Sequence, residues 1–213
     1  MKRHGRKLLA LDAMGVIYAE ADDGLNLLYP FIVEKGGCRE ILEIIRLYNL
    51  VSMGRMSSAE FWISAGVDPA LEDEYLLRHR LSEGLPEFLE EMRSLGMELW
   101  CLSNDVSEWA RKLRTKFGLD KYFSGFVISG DTGSRKPDSA IYLSLLEKAG
   151  FQPREAIFVD DRLRNIEAAA RLGITGILFR PAPEDSQEHM QPITRTFAEL
   201  SSAIGVALAG TSS

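Results

Sequence analysis

The sequence has few of the features that mark secreted or membrane-spanning proteins. Its two cysteines, Cys38 and Cys101, are too few for the disulfide framework of a small secreted domain. It contains no run of about 18 apolar residues, so no transmembrane helix is expected. The apolar residues 8–11 are too short for the core of a signal peptide, because they run directly into Asp12. We therefore expect a protein of the reducing cytoplasm without a membrane partner.

The chain also has fewer basic residues than acidic ones. The chain has 25 lysines and arginines against 31 acidic residues, which gives a net charge of -6 at pH 7 and a pI of about 5.2. A nucleic-acid partner is not expected, since binding to phosphate backbones needs a basic surface. The basic residues among positions 2–7 form one cluster, which we expect to be the solvated start of the first strand.

What remains is the composition of an ordinary globular protein. Hydrophobic residues make up 46% of the chain and charged residues 26%, both typical of such proteins. A length of 213 residues is enough for one large core, or for one core with a smaller inserted domain.

Short apolar runs alternate with helical stretches over most of the chain. A run whose residues are all apolar is typical of a parallel strand, which is covered on both faces. Such runs lie at 7–11, 99–102, 125–129, 156–159 and 174–179. Helical stretches that stop at a glycine, the expected C-terminal cap, lie at 85–95, 107–117, 139–149 and 164–172. This alternation predicts an α/β fold with a Rossmann-like parallel sheet.

Residues 19–83 interrupt the alternation, because they contain no convincing strand. Ser57 and Glu60 have the spacing of a helix capping box, and Asp68 before Pro69 is typical of a helix start. Helices are predicted at 25–35, 39–50, 58–65 and 69–81, and a last one at 197–208 after a polar loop. We therefore predict a core domain formed by residues 1–18 and 84–213, and a helical domain of residues 19–83 inserted after the first strand.

Polar side chains follow three of the predicted strands. Asp12 follows the first strand, Ser103 and Asn104 follow the second, and Asp160 and Asp161 follow a later one. In a doubly wound parallel sheet, ligands bind outside the carboxyl ends of the strands. The spacing therefore predicts that these side chains meet in one site.

The residue types at these positions suit phosphoryl transfer. The carboxylate of Asp12 can attack phosphorus, and an adjacent pair of aspartates supplies the hard oxygen ligands that Mg²⁺ prefers. The hydroxyl of Ser103 and the ammonium of Lys136, which lies at the mouth of a helix, can stabilise charge on phosphoryl oxygens. A structural role is the alternative for each residue: a helix or turn cap for the acids and an exposed loop position for the lysine.

The four motifs, in this order, resemble those of the haloacid dehalogenase (HAD) superfamily, and the helical insertion lies where the helical C1 cap of that family lies. The resemblance implies that Asp12 is an aspartyl nucleophile. It also implies that Asp12, the backbone carbonyl of Met14 and Asp161 bind Mg²⁺, with Asp160 helping through a water molecule. Asn165 matches an asparagine that the family often has behind this metal site. The implied activity is Mg²⁺-dependent hydrolysis of a small phosphorylated metabolite, and no oligomeric state is implied.

The resemblance also implies how the phosphoryl group is held. Ser103 and Lys136 would bind its oxygens, and Lys136 would balance the charge of the neighbouring acids. Asn104, beside Ser103, is expected to be a further donor to the substrate.

The chain departs from the family pattern at Met14. HAD phosphatases usually have a second aspartate at this position, which protonates the leaving group and later activates water, and a threonine where this chain has Val16. Methionine can neither donate nor accept a proton, and proton transfer is typically worth a factor of about 10²–10⁴ in rate. Met14 would instead contact the substrate. Hydrolysis of alkyl phosphates should suffer most, and that of acyl phosphates, aryl phosphates and phosphoanhydrides least.

Other activities related to this family remain open at this point. Haloacid dehalogenases have a bulkier residue where this chain has Met14, because halide leaves without protonation. However, they work without metal, and their cap arginine has no counterpart at the matching distance from Asp12. Phosphonatases use a cap lysine, and the one candidate here, Lys35, is typical of a helix surface. A decayed enzyme that binds Mg²⁺ or a phosphorylated metabolite is the remaining alternative.

The inserted helices should close over the site and set its specificity. Tyr18 and Arg55 are predicted to contact the substrate, and Arg55 could pair with a carboxylate or a phosphate. Met53 and Trp62 are more typical of packing inside the cap. The acidic residues 20–23 are expected to form a solvated loop.

Overall fold

The computed structural model describes residues 7–181 and 193–210, so the basic cluster at 2–6 and most of the polar loop after residue 180 lie outside it. Its strands are β1 (Leu8–Leu11), β2 (Glu98–Ser103), β3 (Gly125–Ile128), β4 (Ala156–Asp160), β5 (Thr175–Phe179) and β6 (Ile193–Thr194). They form one six-stranded sheet in the order β3-β2-β1-β4-β5-β6, and every neighbouring pair is parallel. The predicted α/β class is confirmed.

Strand β1 is apolar throughout because it is covered on both faces. Leu9 and Leu11 belong to one hydrophobic cluster, which also contains residues of the inserted helices. Leu8 and Ala10 belong to a second cluster on the opposite face. Full burial of each leucine is worth about 1.5–3 kcal/mol, so the alternating faces of this strand hold both layers of the fold together.

The insertion between β1 and β2 is helical, as predicted. It contains α1 (Tyr29–Glu34), α2 (Ile41–Val51), α3 (Ser58–Ser64) and α4 (Glu72–Leu76), with single turns at Gly24–Leu28 and Pro69–Leu71. The capping box at Ser57 forms: its hydroxyl accepts from the Glu60 amide at 3.2 Å, and the Glu60 carboxylate accepts from the Ser57 amide at 2.9 Å.

The predicted helix at 69–81 is wrong at its end, because α4 stops at Leu76. The chain leaving the insertion pairs with the chain that enters it. The amide of Ala19 donates to the carbonyl of Arg80 at 3.0 Å, and the amide of Ser82 donates to the carbonyl of Ile17 at 3.0 Å. These bonds between two extended segments replace the helical ones.

All but the shortest of the remaining helices lie near their predicted places. They are α5 (Leu85–Ser94), α6 (Ser107–Lys116), α7 (Ser129–Thr132), α8 (Ser139–Ala149), α9 (Leu163–Arg171) and α10 (Phe197–Gly210). The short elements α7 and β6 were not predicted, since four and two residues are too few to show a period. Within the described ranges, no helix has the length and apolar character needed to cross a membrane.

A buried carboxylate ties the insertion to the core. Glu72 on α4 accepts hydrogen bonds from Ser58 at 2.5 Å and from the Trp62 indole at 3.0 Å, both on α3. It also accepts from the Trp109 indole on α6 at 2.8 Å, and Lys112 on α6 lies 2.8 Å from its other oxygen. Burial raises the pKa of Glu72, but these four donors outweigh burial and lower it on balance.

We expect Glu72→Ala to lower the free energy of unfolding by about 2–4 kcal/mol, because it leaves buried donors without an acceptor. A depressed pKa contributes stability above the unfolded value of 4.5 and loses it as the pH falls through the folded value. The difference between the variant and the wild type should therefore shrink in acid. Urea unfolding followed by tryptophan fluorescence measures it, with the exposed Glu147→Ala on α8 as the control. Equal stability of both variants at pH 7 would contradict the assignment.

Candidate active site

The carboxyl ends of three adjacent strands meet at one cavity. Strand β1 lies between β2 and β4, so Asp12, Ser103 and Asp161 come together where these strands end. The cavity has a volume of about 300 Å³, and all three residues line it. Another part of its wall comes from the insertion, from residues 21–28 and from α2. The predicted strand-end residues therefore share one site.

Lys136 lies at the floor of this cavity, and its ammonium group is fully paired. Its Nζ is 2.6 Å from Oδ1 of Asp12 and 2.8 Å from Oδ2 of Asp160, and it donates to the carbonyl of Leu102 at 2.8 Å. Burial tends to lower the pKa of Lys136, but the charges of Asp12 and Asp160 outweigh burial and raise it. The lysine is therefore a fixed positive charge beside the proposed nucleophile.

The side chain of Asn104 is hydrogen-bonded to the backbone of Lys136. Its Nδ2 donates to the carbonyl of Lys136 at 2.9 Å, and its Oδ1 accepts from the amide of Lys136 at 2.8 Å. Asn104 does line the cavity. One of the two Nδ2 hydrogens is used in the bond to the Lys136 carbonyl, and the expected donation to the substrate stays a prediction.

The two adjacent aspartates have different environments. Asp160 is fully buried, and its carboxylate accepts from Lys136, from Nδ2 of Asn165 at 3.0 Å and from the amide of Arg162 at 2.8 Å. Asp161 lines the cavity, and its buried Oδ1 has no hydrogen-bond partner among the residues in the described ranges. Asp161 is thus the one of the pair with an oxygen left for a ligand, and Asn165 holds Asp160 in place.

The acidic groups are crowded enough to disturb one another. One oxygen each of Asp12, Asp160 and Asp161 lies within 4.8 Å of the others. Burial raises the pKa of Asp12 well above its usual range, and the charge of Asp160 raises it further. Burial and then Asp160 raise the pKa of Asp161 to about 7. Such a cluster of hard oxygens, with one orphaned oxygen, fits a divalent cation such as Mg²⁺.

The loop after β1 lies against this cluster. Gly15 has a φ of 76°, and a Cβ at this position would lie 3.0 Å from the carboxyl carbon of Asp161, so only glycine fits here without strain. Met14 lines the cavity with 8% of its surface exposed, and it brings no titratable group to the site. The Oγ of Ser103 is buried and, within the described part of the chain, has no partner.

Two of the predicted substrate contacts do not line the cavity. Tyr18 is buried against the rings of His79 and Phe117, whose centroids lie 6.0 and 5.8 Å away. The backbone bridge of Tyr18 to Leu81 holds it between the two chains that join the insertion to the core. Arg55 is exposed outside the cavity, because its turn packs on the core. Neither residue lines the cavity in this structure, and the contact of either with a substrate stays a prediction.

Trp62, in contrast, packs between the insertion, where Phe31 lies, and α6 of the core, where Trp109 lies. It is fully buried, and its ring lies 5.8 Å from Phe31 and 5.5 Å from Trp109.

Sequence reasoning missed several residues of the cavity wall. Asp23 was expected in a solvated loop, but it is only 7% exposed, lines the cavity and lies 3.9 Å from the imidazole of His79. Other lining residues that were not predicted are Ile41, Ile44, Tyr48, Asn49, Arg135 and Arg164. The spacing of Ile41, Ile44 and Tyr48 is typical of one face of a helix. The sequence therefore indicated that these residues share a face of α2, but not that this face points to the cavity.

Known proteins share this sequence pattern. A family model described as haloacid dehalogenase-like hydrolase matches residues 7–173. A phosphoglycolate phosphatase of Aquifex aeolicus is 36% identical over 154 residues, which are 70% of this chain and 68% of that protein. A chloroplast flavin mononucleotide hydrolase of Arabidopsis thaliana is 31% identical over 100 residues, which are 47% of this chain and 40% of that protein. The matched segment thus spans less than half of the length of that relative.

Solved structures share the fold. An HAD phosphatase from Thermococcus onnurineus has a TM-score of 0.72 at 22% identity, with 93% of this chain and 98% of that chain covered. An HAD family enzyme from Bacteroides thetaiotaomicron, in complex with magnesium and inorganic phosphate, has a TM-score of 0.69 at 21% identity, with 87% and 98% covered.

These matches confirm the predicted superfamily and the prediction that the chain is an enzyme. The family model covers well over half of the sequence, from the first strand to the end of α9. The chain therefore belongs to the haloacid dehalogenase-like hydrolases.

Proposed function

We propose that this hydrolase cleaves a small phosphorylated metabolite with a good leaving group, through an aspartyl-phosphate on Asp12, and that it requires Mg²⁺. The observation that supports this most is the floor of the cavity. There the carboxylate of Asp12 lies 2.6 Å from the ammonium of Lys136, beside the Ser103 hydroxyl and the Oδ1 atom of Asp161, which form no hydrogen bond to any residue in the described ranges. A nucleophile, a cation and a donor thus meet at one end of a cavity of about 300 Å³.

The residues that would hold Mg²⁺ are Asp12, Asp161 and the backbone carbonyl of Met14. Asp160 contributes its negative charge from behind, since its oxygens already accept from Lys136, Asn165 and the amide of Arg162. When bound, Mg²⁺ would neutralise the acidic cluster and withdraw charge from the phosphoryl group.

The protein's own residues account for the first half of the reaction. A carboxylate oxygen of Asp12 attacks phosphorus, and the bond from phosphorus to the leaving oxygen breaks. Ser103 donates a hydrogen bond to a phosphoryl oxygen, and the fixed positive charge of Lys136, whose N–H groups stay on Asp12, Asp160 and Leu102, stabilises the charge that builds up there. Water then attacks phosphorus and releases phosphate and the free carboxylate of Asp12.

Met14 decides which esters the site can cleave. It occupies the position from which the family's second aspartate protonates the leaving group, and it cannot transfer a proton. The leaving group must therefore be stable as an anion. Acyl phosphates, aryl phosphates and phosphoanhydrides meet this condition, and simple alkyl phosphates do not.

We also propose that residues 19–83 act as a helical cap of the C1 type over a core of residues 1–18 and 84–213. Helix α2 forms much of the cavity wall. The two chains that join this segment to the core run side by side, bonded between Ala19 and Arg80 and between Ser82 and Ile17. A narrow double connection of this kind lets the cap move as a unit and control access of water.

We expect Met14→Asp to raise the turnover of alkyl phosphates such as ethyl phosphate by about 10²-fold, because it restores proton transfer to the leaving group. Turnover of p-nitrophenyl phosphate and acetyl phosphate should change much less, and all turnover should stop in EDTA. Met14→Asn is the matched control, since it adds a polar group that cannot act as an acid. Equal turnover of ethyl phosphate by the Asp variant, the Asn variant and the wild type would count against the role given to Met14.

The same assays separate the alternative functions. Turnover of a haloacid that survives EDTA would favour a dehalogenase. A folded protein that is stabilised by Mg²⁺ and phosphate, but that turns over neither acetyl phosphate nor p-nitrophenyl phosphate, would favour a binding protein.

A further inference from the structure

The cavity has a cationic side that the reaction at Asp12 does not use. Arg135, Arg162 and Arg164 all line it. Burial is the main cause that lowers the pKa of Arg135, and the charges of Arg162 and Arg164 lower it further. The three guanidinium groups therefore put positive charge on the wall of one cavity, and a bound anion would be attracted to it.

Two of these arginines have no acidic partner. In residues 7–181 and 193–210, no carboxylate forms an ion pair with Arg135 or Arg164. Arg162 differs, because it lies 4.0 Å from Asp161. Burial lowers its pKa, but the charges of Asp161 and then of Asp12 outweigh burial and raise it. The half-buried Arg135 and the exposed Arg164 thus bring to the cavity wall positive charge that no carboxylate of the described ranges pairs with.

Arg135 is held in place by the insertion. Its guanidinium lies over the ring of Tyr48, 5.6 Å from the centroid, and donates to the side-chain oxygen of Asn49. The hydroxyl of Tyr48 in turn donates to the carbonyl of Asn104 at 3.3 Å. Stacking and a fixed hydrogen bond orient the planar guanidinium before a ligand arrives, which favours recognition of a carboxylate or a phosphate.

Apolar residues line another part of the same cavity. They come from the first turn of the insertion and from α2, and Leu25 and Ile45 keep 47% and 44% of their surface exposed. A volume of about 300 Å³ is at the small end of ligand pockets. The ligand that fits is therefore short, with a compact apolar segment between its charged ends.

We propose that Arg135 and Arg164 form a subsite for a second anionic group, so that the substrates are small phosphorylated acids. This second group is a carboxylate or a phosphate. It lies at the end of the substrate that is remote from the phosphoryl group transferred to Asp12. This assignment rests on the proposed function in so far as Asp12 marks the position of the transferred phosphoryl group. Asp22 and Asp23, which also line the cavity, disfavour an anion beside the acidic loop and so direct it to the arginines.

The test compares aryl phosphates of similar size and leaving-group acidity. 3-Carboxyphenyl phosphate and 1,3-phenylene bisphosphate carry the second anion, and 3-carbamoylphenyl phosphate carries a neutral amide instead. With Mg²⁺ present, we expect KM to be at least about tenfold lower for an anionic compound than for the amide, with similar kcat, since charge-assisted hydrogen bonds are made in the ground state and the transition state alike. The anion that gives the lower KM identifies the carboxylate or the phosphate as the group recognised.

Three substitutions test which residues carry this preference. Arg135→Gln and Arg164→Gln should each bring the KM ratio of amide to anion close to one. The control is Arg154→Gln. Arg154 lies in the turn Pro153–Glu155, which precedes the amino end of β4, whereas the cavity lies at the carboxyl ends of the strands. This variant should keep the wild-type KM ratio.

The possible failures are distinguishable. Equal KM values for all compounds in the wild type would overturn the subsite and leave the proposed hydrolysis standing. Absence of any turnover would overturn the proposed hydrolysis. The subsite would then be decided by calorimetric titration with the same three compounds, where equal affinity for the amide and the anions would overturn it as well.

Discussion

Asp12→Asn should abolish turnover of every phosphate compound that the wild type hydrolyses, with a loss in kcat of about 10³-fold or more. The amide oxygen is a poor nucleophile for phosphorus, and no other carboxylate takes over this place: Asp160 is occupied by Lys136 and Asn165. The substitution preserves size. It also removes one member of the crowded acidic cluster, whose mutual repulsion contributes to the raised pKa of Asp12. The variant should therefore stay folded.

Circular dichroism spectra and unfolding midpoints of Asp12→Asn and the wild type should agree. Such agreement shows that activity is lost without a loss of structure. The matched control is Asp131→Asn, an exposed position on α7, which should retain wild-type kcat. Full activity in Asp12→Asn would show that another group attacks phosphorus.

Lys136→Met should destabilise the metal-free protein by about 3–5 kcal/mol, the typical cost of leaving buried charges without their partner. Methionine has nearly the length of lysine but no charge, so Asp12 and Asp160 lose the ammonium group that lies 2.6 and 2.8 Å away. The carbonyl of Leu102 loses its donor at the same time. Mg²⁺ should restore part of the stability, because it binds the folded state and replaces the lost positive charge.

Urea unfolding with and without Mg²⁺ measures both effects. The double variant Lys136→Met/Asp160→Asn should be more stable than the single variant without metal, since it removes one uncompensated carboxylate. Lys148→Met, at an exposed position on α8, is the control and should change stability little. A loss of less than about 1 kcal/mol in Lys136→Met, the scale of an exposed ion pair, would contradict the description of this lysine as the buried charge centre of the site.

Much of the fold was readable from the sequence because burial on both faces makes parallel strands apolar throughout. The glycines that end α8 and α9 gave the helix limits to within one or two residues. The end of the predicted helix at 69–81 was not readable, because it depends on pairing with residues 17–19. Such a contact between distant segments leaves no local signal.

The convergence of the residues at the floor of the site could be predicted from the sequence for a related reason. Parallel strands bring their carboxyl ends to one edge, so Asp12, Ser103 and Asp161 had to meet once the strand order was given. The roles of these residues stay predictions. The walls were not readable, since the direction of an inserted helix depends on packing. Arg55 and Arg135 have the same chemistry, yet only Arg135 lines the cavity.

The central claim, a phosphoryl group bound covalently to Asp12, is tested most directly by chemical trapping. The enzyme is quenched during turnover of acetyl phosphate with Mg²⁺ and treated with sodium borohydride, which reduces an aspartyl-phosphate to homoserine. Peptide mass spectrometry then locates the modified residue. We expect homoserine at position 12 in the wild type and none in the presence of EDTA or in Asp12→Asn. Rapid turnover with position 12 unmodified, or homoserine at a different aspartate, would contradict the claim.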